Sequence, residues 1–120
     1  MPLIVVTANR HRQELTDDFL FMFGQQLRTD IAETLTCTDP GGQLTAEDIE
    51  VKIEDRVPKR SIGGEKYDLQ VTVFANDYPS RKANLAERGK QLKERVRHAL
   101  PQTLHGFVWI LLSPAAFEEF

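Results

Sequence analysis

At 120 residues the chain fits one domain spanning residues 1–120, long enough to bury roughly two-thirds of the surface its unfolded form exposes. With 41% hydrophobic and 28% charged residues it has a globular composition, which excludes disorder and fibrous repeats, and a net charge of −3 carries no overall nucleic-acid signal. Cys37 is the only cysteine, which excludes an intrachain disulfide and paired-thiolate zinc ligation; there is no secretory-type charged start and no apolar run near about 18 residues, so a soluble protein of the reducing cytoplasm is expected, with no membrane partner.

Pro2-Leu3-Ile4-Val5-Val6-Thr7 reads as an apolar strand directly behind the initiator methionine. A proline suits the first position of a strand because its missing N–H costs nothing there. Removal of Met1 would also make it a secondary amine, and desolvation in an apolar cleft lowers an amine's pKa toward neutrality, where it can shuttle a proton without a cofactor.

From Gln13 to Thr36 the apolar residues Leu15, Phe19, Met22, Phe23, Leu27, Ile31 and Leu35 advance by threes and fours, which predicts a long amphipathic helix. Thr38-Asp39-Pro40-Gly41-Gly42 ends it, and Leu44 to Asp48 leads onward. Ile49-Glu50-Val51-Lys52-Ile53-Glu54 alternates with period two and predicts a half-buried strand. Asp55 to Lys66 reads as a polar loop or hairpin arm, and Leu69 to Phe74 as a third strand.

A second helix is expected after Asp77-Tyr78-Pro79, with Asn84 and Glu87 as a capping pair near its start. Its apolar face is Leu85, Gly89, Leu92, Val96 and Leu100, and Gly89 there suggests close packing against a sheet. Pro101 ends it. Gly106 to Leu112 is a nearly continuous apolar run, predicted to be a strand buried on both faces, followed by a tail with Phe117 and Phe120. The order β-α-β-β-α-β predicts an α+β domain: one four-stranded sheet with two helices on one face, each β-α-β half contributing a parallel strand pair. Ferredoxin-like ligand-binding domains share that order.

Arg81, Lys82, Arg88, Lys90, Lys93, Arg95 and Arg97 make the second helix basic. Without interleaved aromatics for base stacking they read as its water-facing side, and no nucleic-acid partner is expected. His98 and His105 are not at metal-ligand spacing, no glycine motif cradles a phosphate, and Cys37 has no adjacent base to make it a nucleophile. Arg10, His11 and Arg12 follow the first strand; they suit a solvated loop, and a guanidinium there can also hold a carboxylate bidentately. Lys59-Arg60 has the same two readings.

The initial Pro2, the strand Ile49–Glu54 leading to Ser61-Ile62-Gly63-Gly64-Glu65, and the second half from Tyr67 through Ser80-Arg81 together resemble the tautomerase superfamily. The resemblance implies a homotrimer of β-α-β-β-α-β subunits in which the N-terminal proline amine acts as general base or acid on a small enol or α-keto acid, with no cofactor and no metal. Arg12 falls where 4-oxalocrotonate tautomerases have a carboxylate-holding arginine, and Arg10 is near enough to compete. Glu50 stands where those proteins have a second arginine, and Arg60 where they have an aromatic residue. The expected site is therefore Pro2 as the catalytic amine, with Arg12 and Arg60 binding the substrate carboxylate. The other reading is a noncatalytic ligand-binding or assembly module. Phe117, Phe120 and the two open sheet edges add an expectation of self-association.

Overall fold

The structure, a computed structural model, describes residues 2–56, 62–63 and 66–113. Its elements in chain order are β1 (Leu3–Ala8), α1 (Asp17–Leu35), a 3-10 turn (Ala46–Asp48), β2 (Glu50–Asp55), β3 (Leu69–Asn76), α2 (Pro79–Ala83), α3 (Leu85–Ala99) and β4 (Gly106–Ser113). The strands form one sheet in the order β2-β1-β3-β4. β1 runs parallel to β2, and β3 parallel to β4, while the two halves meet antiparallel along β1 and β3. This is the α+β architecture expected from the sequence, with the helices on one face.

Strand alternation decides which side chains meet the helices. Ile4, Val6 and Ala8 of β1, with Leu69, Val71, Val73 and Ala75 of β3, are buried against Leu20, Phe23, Leu27, Ile31, Leu35, Leu92 and Val96. The intervening positions, among them Leu3, Val5, Phe74 and Trp109, share the opposite face, which carries no helix. That arrangement corrects the expectation for β4. It is an edge strand whose Val108, Ile110 and Leu112 pack on the core, whereas Trp109 is 57% exposed. β2, the other edge, is likewise less covered than its alternation suggests: Ile49 is buried, Val51 partly so, and Ile53 is exposed.

The helices differ from expectation at their starts. Residues 10–15 form a turn, with Arg12 N–H donating to Asn9 O and Leu15 N–H to Arg12 O. Thr16 then caps α1, its Oγ1 accepting from Phe19 N–H at 3.1 Å. Leu20, not Met22, completes the buried stripe, and Met22 is exposed. The second helix is broken at Asn84. Asn84 makes no capping bond; its Oδ1 accepts instead from Arg88 Nε at 2.6 Å. Phe117, Phe120 and the segment around Gly64 lie outside the described residues.

Gly89 is not sterically required. A Cβ added there would meet only Ile110 Cδ1, at 3.9 Å, an ordinary contact. Glycine inside a helix costs about 0.5–1 kcal/mol relative to alanine. Gly89→Ala is therefore expected to raise the urea midpoint by an amount corresponding to about 0.5–1 kcal/mol, at unchanged m-value, in equilibrium denaturation.

Candidate functional site

Pro2 sits at the start of the central strand pair and is buried. Its carbonyl accepts from the N–H of Glu50 at 3.3 Å, continuing the β1-β2 ladder beyond the Leu3 and Glu50 pair. On the other side Leu3 stands opposite Phe74, so the chain around Pro2 runs beside the last residues of β3. A free amine at Pro2 requires loss of Met1, which lies outside the described residues. Glu50, whose backbone N–H makes the contact with the Pro2 carbonyl, is exposed.

Arg81 also belongs to this end of the sheet; the sequence pattern placed its side chain among the water-facing cations of the second helix, and the structure corrects this. It is 1% exposed. Its Nε donates to Leu35 O at 2.9 Å, and its two terminal nitrogens donate to Asn76 O at 2.9 Å and Gly42 O at 3.3 Å. The guanidinium carbon lies 5.0 Å from the centre of the Tyr78 ring. Burial pushes its pKa below the ordinary arginine value, a direction set by desolvation. Each of its hydrogen bonds goes to a backbone carbonyl; none goes to a carboxylate among the described residues. Arg88 completes the arrangement, donating to Thr34 O at 2.8 Å and Thr36 O at 2.9 Å. These are carbonyls at the C-terminal end of α1, whose own last turn holds no basic residue.

The turn after α1 is fixed to the same place. Asp39 accepts from Ser80 N–H at 3.0 Å and Ser80 Oγ at 2.6 Å. Gly42 packs so tightly that an added Cβ would fall 2.3 Å from Cys37 Sγ, which explains a glycine here and keeps the Cys37 thiol buried.

Arg10 and Arg12 occupy the opposite end of the sheet. Arg10 bridges Asp17 at 2.5 Å and Asp55 at 3.2 Å, and the Asp17 hydrogen bond raises its pKa. Arg12 meets Glu14 at 3.2 Å, Asp68 at 3.9 Å and Thr103 O at 3.4 Å. Both guanidinia are already neutralised by carboxylates. They border an open cleft of about 520 Å³ that also includes Gln13, Thr16 and Asp55. Along the strand, Pro2 and Ala8 are separated by roughly 20 Å at about 3.3 Å per residue, so one chain does not bring Pro2 and Arg12 together. Arg60 lies outside the described residues. Two other clefts, one between α1 and β2 and one between α3 and β4, are lined by residues such as Gly24, Arg28 and Val51 or Lys93, Val96 and Phe107. Pro2 lines none of these three clefts.

A two-layer β-α-β-β-α-β sheet of this order defines the tautomerase fold, and solved structures of that superfamily share it. The malonate semialdehyde decarboxylase structure, described with decarboxylase and hydratase activities and also solved with its first-residue proline changed to alanine, matches with a TM-score of 0.62 at 13% identity, covering 98% of this chain and 89% of that one. The macrophage migration inhibitory factor-like protein of Entamoeba histolytica matches at 0.58 and 9% identity, covering 92% and 85%. A fused 4-OT symmetric trimer matches at 0.56 and 11%, covering 93% and 85%. At these identities the likeness is one of fold. No family model and no curated protein matches the sequence.

Asp39 provides a pH test of the turn. The Ser80 hydroxyl, and then the Ser80 N–H, hold its carboxyl below the ordinary aspartate value of 3.8. A lowered folded-state pKa gives stability that is complete above the unfolded value, about 3.9, and is lost as the pH falls through the folded value. Thermal melts below about pH 4 are therefore expected to show a shallower pH dependence for Asp39→Asn than for wild type.

Proposed function

We propose that the protein is a cofactor-independent tautomerase or isomerase of small carboxylate-containing carbonyl compounds, with the freed amine of Pro2 moving the proton. The observation that carries this reading is the position of Pro2, which opens the central strand of a fold shared with an enzyme whose own first-position proline has been a target of substitution. Interconverting keto and enol forms requires a base whose pKa lies near ambient pH and a charge that stabilises the enolate. An α-amino group titrates near 7.7 to 8.0, and a secondary amine is intrinsically more basic, so burial and the Arg81 cation at the same end of the sheet are what would bring it into range.

Arg12 is the proposed carboxylate-binding residue. Because it stands at the far end of β1 from Pro2, a site using both draws them from different chains of an oligomer. The uncovered sheet face with Leu3, Val5, Phe74 and Trp109, and the trimeric state of the 4-OT structure, support a homotrimer. A substrate carboxylate would take the place of Glu14 on the guanidinium, an exchange between equal charges. Arg60 is the proposed second cation. The protein is proposed to act in the cytoplasm.

A noncatalytic module is the second reading. The burial of Pro2 and the carboxylate pairing of Arg10 and Arg12 favour it. Activity separates the two. With the enol of phenylpyruvate as probe, Pro2→Ala is expected to reduce kcat/KM at least 100-fold while the melting temperature holds, matching the usual contribution of a general base. Arg12→Ala is expected to raise KM about ten-fold with kcat nearly unchanged, as loss of uniform binding does. No turnover by the wild-type chain, or equal turnover by Pro2→Ala, would favour the module.

A further inference from the structure

The end of β3 carries one polar atom that the fold leaves unsatisfied. Asp77 Oδ1 is buried and has no hydrogen-bond donor among the described residues. The other oxygen, Oδ2, lies 3.8 Å from the exposed Nζ of Lys82. The backbone around it is fixed: Asp77 N–H donates to Ser113 O at 3.1 Å, and Tyr78 N–H to Asn76 O at 3.2 Å. A buried carboxylate oxygen without a donor loses its hydration with nothing in return, so such an atom calls for a partner.

The sheet register shows which partner is at hand. Leu3 pairs with Phe74 across the antiparallel ladder, so Pro2 comes opposite Ala75, two residues before Asp77. Adjacent antiparallel strands bring paired Cα atoms to about 5 Å, and two further residues add about 6.6 Å along the strand. The Pro2 and Asp77 backbones are then roughly 8 Å apart, a gap that the extended aspartate side chain, the Cα–N bond of Pro2 and one hydrogen bond close between them. As translated, that nitrogen is a tertiary amide with no hydrogen to give. Cleavage of Met1 turns it into the donor that Oδ1 lacks.

We propose that Asp77 accepts a hydrogen bond from the processed Pro2 amine and acts as its positioning residue. The inference rests on the reading that Pro2 is freed. A neutral secondary amine has one N–H and one lone pair. Engaging the N–H with Asp77 aims the lone pair away from Asp77, toward the substrate. When the amine takes a proton from substrate carbon it becomes an ammonium with two hydrogens: one stays on Asp77, and the other returns to carbon or oxygen, so the amine ends as it began. The carboxylate also favours the ammonium.

Other charges at this end act on the same amine. Glu50 on β2 and Asp39 in the turn after α1 favour the ammonium, as Asp77 does; Arg81 and Lys82 of α2 and Arg88 of α3 oppose it; Cys37 adds its thiol, and β4 contributes only the neutral Ser113. Of these side chains only Asp77 has a buried oxygen without a partner.

The test uses the full chain with Met1 removed, labelled with nitrogen-15 proline. Direct NMR titration of the Pro2 nitrogen is expected to give a midpoint about one pH unit lower in Asp77→Asn than in wild type, the size of one lost nearby charge and hydrogen bond. Asp77→Glu is expected to restore part of the shift. In wild type, the carboxyl-carbon resonance of Asp77 is expected to respond at the midpoint of the amine; this needs no variant and decides the matter should Asp77→Asn fail to fold. An unchanged Pro2 midpoint in folded Asp77→Asn, or no response at Asp77, would overturn the inference. The titration is separate from turnover. A shifted midpoint in an inactive protein would reject the tautomerase reading and keep the contact, whereas turnover with an unshifted midpoint would do the reverse.

Discussion

The two halves of this domain are locked together where Arg81 and Arg88, both from the second half, meet the C-terminal carbonyls of α1. A helix end leaves several carbonyl oxygens without intrahelical partners, and its dipole places partial negative charge there. α1 ends in Glu33-Thr34-Leu35 and carries no basic residue in its last turn. Its cap comes from 46 to 54 residues away, through the bonds to Thr34, Leu35 and Thr36. Arg81 adds the carbonyls of Asn76 and Gly42, tying the helix, the following turn and the end of β3 to a single planar group. The Pro2 end of the sheet is shaped by this clamp.

Much of the fold was legible because alternation and helical periodicity are strong signals when one face is buried. Ile4, Val6, Val71 and Val73 alternate because helices cover one side of the sheet only. The start of α1 was not legible in the same way: Leu15 is buried ahead of the helix and continues its apolar spacing, while Thr16 is what ends the preceding turn. For β4, continuous apolarity suggested burial on both faces, but edge position leaves Trp109 exposed in a single chain. Apolar residues on an uncovered face give the same sequence pattern as a covered strand.

Sites are harder to read than strands because charge alone does not reveal a partner. Arg12 stood out by spacing, yet it is bound by Glu14 and Asp68, residues whose proximity depends on the folded turn and the start of β3. Arg81 falls within a basic run that reads as solvated, yet it is the buried cation among the described residues. The two ends of the sheet therefore differ electrostatically: one holds arginines matched by carboxylates, and the other a guanidinium held by backbone carbonyls. On the proposed function, the buried Arg81 cation at this end would disfavour a positive charge on a freed Pro2 amine, while the nearby Asp39 carboxylate offsets part of its charge. Glu50 and Asp77 would act on that amine in the opposite direction.

All of this chemistry depends on one covalent event. Intact-mass and N-terminal fragment analysis of the chain isolated from its native cells tests it directly. The account predicts a protein lighter than the translated sequence by one methionine, with Pro2 as the first residue. A chain that retains Met1 would have an amide nitrogen in place of the amine and would contradict the proposed function.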